Sequence, residues 1–190
     1  MTRVRTVLFD RDSILAEDPL DPGRLRPASG ALEALGMLRL HDVRTGFVAV
    51  QPDTRHGGAA DADVRAVNRR VDELLGPFDI WGVCPHGPDD GCHCRPPEPG
   101  LILWAAGRVC TAPADCAVVG TAADAEAASR VGAHGILVPD QRTRPEETAR
   151  AGHVAPDVLT AVRALLAGPP RGRVLVDERP IESAFGEGEA

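Results

Sequence analysis

Val7-Leu-Phe-Asp-Arg-Asp-Ser-Ile14 runs from a short apolar segment into two aspartates, Asp10 and Asp12, separated by one residue. An apolar run of this length, bounded by polar residues, reads as a buried strand. On an extended chain residues i and i+2 point the same way, so the spacing predicts that both carboxylates face one cavity. Two carboxylates at the C-terminal end of a strand suit a hard cation, with one oxygen left to attack an electrophile. A strand running into an acidic turn would look the same in isolation, so the rest of the chain has to decide.

Working outward, short apolar runs alternate with helical stretches, the pattern of a parallel sheet flanked by helices. Strands are expected over residues 5–10, 44–50, 78–83, 116–119 and 135–138. Ser29 is expected to cap a helix running through Leu35 and Leu38 to Leu40. A second helix over residues 61–75 places Val64, Val67, Val71, Leu74 and Leu75 on one face, with Gly76 as its stop. Further helices are expected over 101–109, over 124–131 with Gly132 at its end, and over 154–166. One domain over residues 1–167 follows, with 168–190 as a flexible tail in which residues 173–177 could add an edge strand. In open parallel sheets, ligands bind beyond the carboxyl ends of the strands, where Asp10 and Asp12 fall.

The 190 residues are 43% apolar, enough for one core. A net charge of −7 argues against nucleic acid as a partner, and no run is apolar enough to span a membrane. All 21 basic residues are arginine, so no step can use an ammonium side chain. The N-terminus enters a strand directly, without the pattern of a signal peptide. Five cysteines, three of them close together, read as thiols or metal ligands of a cytoplasmic protein and not as a disulfide framework.

Cys84-Pro-His86 and Cys92-His-Cys94 frame a loop rich in proline and glycine. Cys84, His86, Cys92 and Cys94 supply three thiolates and an imidazole, the closed tetrahedral shell of a structural zinc site. The intervening Gly87-Pro-Asp-Asp-Gly91 has no apolar core of its own, so a metal would give the loop its shape. His93, between two ligating cysteines, is expected to point away. Cys110 and Cys116 are expected to be buried as small apolar residues.

Together these residues resemble the haloacid dehalogenase (HAD) phosphatases, and most closely the D,D-heptose 1,7-bisphosphate and histidinol-phosphate phosphatases. The resemblance is carried by Phe9-Asp-Arg-Asp12, Val43-Arg-Thr-Gly46, the loop from Cys84 to Arg95, Val118-Val-Gly120 with Ala123-Asp-Ala-Glu-Ala-Ala128, and Val154-Ala-Pro-Asp157. It implies a Rossmann-like HAD domain with a zinc-binding loop and no cap domain. It also implies that Asp10 is the nucleophile forming an aspartyl-phosphate, and Asp12 the acid and base. Magnesium would be held by Asp10, the Asp12 carbonyl and the acidic residue Asp124.

The chain departs from that pattern at four places. The usual D-x-D-G-T ends as Ser13-Ile14, and the hydroxyl expected after the second strand is missing from Ala49-Val-Gln-Pro-Asp53. Pro96 takes the lysine position after Cys94-Arg95, and Gly120-Thr-Ala-Ala-Asp124 is one residue short and lacks the first aspartate. Arg95 is left as the main phosphate contact, with Gln51 beside it, while Arg55 and His56 read as solvated loop residues and Arg11 either as a support behind the site residues or as exposed. Losing one oxyanion-type donor typically costs about 10²–10³ in rate. Two readings follow. One is a hydrolase of small sugar or histidinol-type phosphates with weakened chemistry. The other is a non-catalytic scaffold on the same frame, binding a ligand or a protein partner.

Overall fold

Five short segments of apolar and β-branched residues form strands β1 (Thr6–Asp10), β2 (Arg44–Val50), β3 (Ile80–Cys84), β4 (Cys116–Gly120) and β5 (His134–Leu137). All pair in parallel, in the order β3-β2-β1-β4-β5. The computed structural model describes residues 4–16, 23–51 and 61–168. Helices α1 (Ala31–Leu40), α2 (Asp61–Leu75), α3 (Gly100–Arg108), α4 (Ala122–Arg130), α5 (Pro145–Arg150) and α6 (Val158–Ala167) follow in chain order.

The central strand shows why the sheet has two covered faces. Val7 and Phe9 point into a cluster with Leu35 and Leu38 of α1, Val67 and Val71 of α2, and Val158 and Val162 of α6. Leu8 points the other way, onto Ile102, Ala105 and Ala106 of α3 and Ala127 and Ala128 of α4. Near-continuous apolar strands are what a parallel sheet buried on both sides requires. The α2 face follows its predicted spacing: Val64, Val67, Val71 and Leu75 are buried and Leu74 half-buried. The five-stranded parallel sheet flanked by helices agrees with the α/β reading.

Several local expectations are corrected. Ser29 does not cap α1; Gly30 sits at that end with φ +77° and no side-chain cap forms. A Cβ on Gly30 would stand 2.9 Å from the Leu159 Cβ, so the left-handed turn and the packing of α6 both demand glycine there. The last helix starts at Val158, not Val154, because Asp157 accepts from the Thr160 N–H at 2.7 Å and caps it. The preceding residues instead extend along β5, where Ala155 N–H donates to the Leu137 carbonyl at 2.9 Å. Helix α5, with Pro145 in its first turn, was not anticipated. Cys110 is exposed, at φ +50°, where a buried residue was expected, whereas Cys116 is fully buried. Arg11, expected either behind the site residues or exposed, is 1% exposed, which leaves the first alternative. The tail over 169–190, including the suggested strand over 173–177, lies outside the described residues, as do Arg55 and His56. No helix among the described residues is long and apolar enough to cross a membrane.

Candidate active site and metal centre

The carboxyl ends of β1, β4, β2 and β3 converge, and each contributes one part of the site. Strand β1 ends at Asp10, and Asp12 begins a short 3-10 turn over Asp12–Ile14. The strand alternation expected to align the two carboxylates therefore stops at Asp10. The turn instead folds Ser13 back, and its N–H and Oγ–H donate to Asp10 Oδ2 at 3.1 and 2.8 Å. Both described hydrogen bonds thus fall on one oxygen of Asp10.

Strand β4 delivers Asp124 through the first turn of α4. Thr121 caps that helix: its N–H and hydroxyl donate to Asp124 Oδ2 at 3.0 and 2.5 Å, while the Asp124 N–H donates back to the hydroxyl. Asp124 is 6% exposed. Gly120 lets the two acidic elements meet. A Cβ there would stand 2.6 Å from the Asp10 Cβ and 2.9 Å from Asp124 Oδ2. Burial first, then the charges of Asp124 and Asp12, push the Asp10 carboxyl up to about 7 against the pull of Ser13. Burial likewise raises Asp124, although Thr121 donates to it. Buried carboxylates that resist ionisation next to one another are suited to a hard cation, whose charge reverses that preference.

Between Asp10 and Asp12 the chain buries a permanent charge. Arg11 Nε donates to Asp12 Oδ1 at 2.8 Å, Nη1 to Asn68 Oδ1 at 3.1 Å, and Nη2 to Gln51 Oε1 at 3.0 Å. Gln51 follows β2, and its own N–H donates to the Cys84 carbonyl, tying it to the end of β3. Asn68 is fully buried on α2, and its Nδ2 has no hydrogen-bond partner among the described residues.

Beyond β3, the four proposed metal ligands come together. Cys84 Sγ lies 3.7 Å from Cys92 Sγ, 3.2 Å from Cys94 Sγ and 3.6 Å from His86 Nδ1, and His86 Nδ1 lies 3.1 Å from Cys94 Sγ. A tetrahedral zinc about 2.3 Å from each sulfur sets its sulfurs about 3.8 Å apart, so these edges are close to that shell. Among the described residues this is the set of His, Cys, Asp and Glu whose ligand atoms all fall within 4.8 Å of one another. Burial, followed by the neighbouring thiols, pushes Cys94 up to about 12, and burial also raises Cys84. For Cys92, burial is opposed and outweighed by the Cys94 and Arg95 N–H groups, which lower it. Three thiols in this state do not ionise together without a dication between them. His93 is exposed and outside the set, as expected. Arg95 Nη1 donates to the His86 carbonyl at 3.1 Å, so it braces the same loop. A cavity of about 650 Å³ lies under that loop, lined among others by Asn68, Trp81, Cys94 and Trp104.

A HAD-hydrolase-like family model matches residues 93–164. The D-glycero-β-D-manno-heptose-1,7-bisphosphate 7-phosphatase of Bordetella bronchiseptica is 29% identical over 52% of this chain and 59% of its own length. The bifunctional histidine biosynthesis protein HisB of Legionella pneumophila is 31% identical over 52% of this chain and 31% of its own. The chain thus spans about three fifths or less of these relatives. A crystal structure of the B. bronchiseptica D,D-heptose 1,7-bisphosphate phosphatase, complexed with magnesium and phosphate, superposes with a TM-score of 0.73 at 26% identity, covering 86% of this chain and 98% of that one. The chain has the fold of the haloacid dehalogenase phosphatases and is similar to their heptose-bisphosphate phosphatases.

Within this HAD frame, the altered motif positions have definite local roles. Ser13, which replaces a glycine of the HAD motif, supplies both described donors to Asp10. Thr121, where an aspartate is usual, holds Asp124 by the helix cap. Sequence reading missed Ser13 as a partner of Asp10, although a hydroxyl three residues after an aspartate is a known local donor. It also missed Asn68, for which no local signal exists, since an asparagine on the buried face of α2 is meaningful only through Arg11.

Proposed function

We propose that the chain is a phosphomonoester hydrolase of small sugar or histidinol-type phosphates, working slowly through an aspartyl-phosphate. The observation that carries this reading is the convergence of Asp10 and Asp124 across Gly120, with Asp12 beside them. Asp10 attacks phosphorus through the oxygen Ser13 leaves free; the P–O ester bond breaks and Asp12 gives its proton to the departing oxygen. Water then attacks the aspartyl-phosphate, Asp12 takes its proton, and phosphate leaves with Asp10 restored.

The donor set fits magnesium. Asp10, the Asp12 carbonyl and Asp124 would hold it, and when bound it would neutralise charge on the phosphoryl oxygens. Cys84, His86, Cys92 and Cys94 would hold zinc as a brace with no open position for chemistry.

A second reading, a non-catalytic scaffold that binds a phosphorylated ligand or a protein, is favoured by one observation. Arg95, the cation left in the lysine-bearing loop, turns to the His86 carbonyl, and Pro96 offers no charge. The test is phosphate release from a panel of sugar phosphates and histidinol phosphate with magnesium, beside an Asp10→Asn control. Release above the control supports the hydrolase, and equality leaves the scaffold.

A further inference from the structure

We infer that Arg11, Asn68 and Gln51 form a buried positioning array that reserves the guanidinium charge for Asp12. This rests on the hydrolase reading above. Arg11 is 1% exposed and donates through all three of its nitrogens, to three acceptors on three different segments. With its fork spent on protein, Arg11 is not a phosphate ligand; it is a positioning residue acting through Asp12.

The chemistry of the acceptors carries the inference. A buried arginine is best satisfied by carboxylates. Here two of its three described acceptors are neutral amide oxygens, which orient the guanidinium without neutralising it, and the carboxylate it touches among the described residues is Asp12. The choice leaves a visible defect, because Asn68 Nδ2 is buried without a partner among the described residues. An aspartate at residue 68 would remove that orphan and pair with Arg11 directly, yet it would draw the charge away from Asp12. Unsatisfied buried groups of this kind concentrate where function overrides local stability. The array also links the end of β1 to the end of β2 and to α2, so the Asp12 side chain is fixed by two elements, β2 and α2, that do not carry the reacting atoms.

The decisive experiment introduces a competing carboxylate. Asn68→Asp, and independently Gln51→Glu from the more accessible side, are expected to lower kcat about 10- to 100-fold, with KM within about threefold and Tm unchanged or higher. In the Asp12→Asn background neither substitution should lower kcat further. A role confined to stability predicts the reverse: unchanged kcat in both variants. A second readout does not need turnover. In protein labelled with 13C at the aspartate carboxyls, both variants should move the Asp12 resonance and leave Asp157 in place. Wild-type release equal to that of Asp10→Asn would sink the hydrolase reading while the Asp12 resonance still judges the array. An unmoved Asp12 resonance, or full kcat in Asn68→Asp and Gln51→Glu, overturns the proposal.

Discussion

At Asp10 the site's electrostatic problem is concentrated in one carboxyl. Burial and two acidic neighbours push it up to about 7, while in the unfolded chain it titrates near its ordinary value of 3.8. Between those two values the folded state binds the extra proton, so without a metal, stability falls as pH rises from about 4 to about 7. Above about 7 the full penalty is present. Asp10→Asn removes the ionisation. The variant should therefore be more stable than the wild type in metal-free buffer at pH 8, by about 2–4 kcal/mol, with the difference fading toward pH 4. Thermal melts of both proteins across that range, zinc-loaded and free of magnesium, check it. Saturating magnesium should shrink the gap at pH 8, because the cation favours the ionised wild-type carboxylate. A gap that is constant with pH would mean that Asp10 is ionised in the folded chain throughout.

At the scale of elements, what the sequence could tell followed how local the cause was. The five strands announced themselves through short apolar runs, and β2 and α2 lie where the pattern put them, at Arg44–Val50 and Asp61–Leu75. The helix starts were less legible. Ser29 has the composition of a cap, but the approach of Leu159 to Gly30 decides where α1 begins. The metal set was legible because all four ligands sit in one loop whose spacing is itself the signal. Arg11 was left between a supporting and an exposed position for the opposite reason, since its acceptors Gln51 and Asn68 are 40 and 57 residues away. The loop yields a prediction of its own. It crosses from β3 to α3 with half-buried cysteines and few apolar residues, so removing its ion should loosen the loop before the sheet. One zinc per chain is expected by elemental analysis, and Cys92→Ser should lose it. After chelation, limited proteolysis should cut within residues 85–95 while far-UV circular dichroism keeps most of its amplitude. Loss of the whole dichroism signal on chelation would instead make the ion part of the core's stability.

The whole molecule sets the field in which a substrate arrives. The net charge is −7 and the site's own carboxylates add to it locally, while Arg11 donates to Asp12, Asn68 and Gln51, and Arg95 donates to the His86 carbonyl. A phosphate monoester therefore approaches a surface of like sign, with a bound divalent ion as the main local attraction. Screening then helps the encounter instead of hindering it. The Debye length shrinks from about 30 Å at 0.01 M salt to about 8 Å at 0.15 M, which removes most of the long-range repulsion and leaves short contacts intact. At saturating magnesium, kcat/KM should rise about two- to threefold across that interval, with kcat nearly constant. An active site lined by a free lysine or arginine cradle shows the opposite slope, because salt then weakens a steering attraction. Steady-state kinetics at fixed free magnesium and rising sodium chloride distinguishes the two. A fall in kcat/KM with salt would show that a cationic cradle exists after all, supplied by residues other than Arg11 and Arg95.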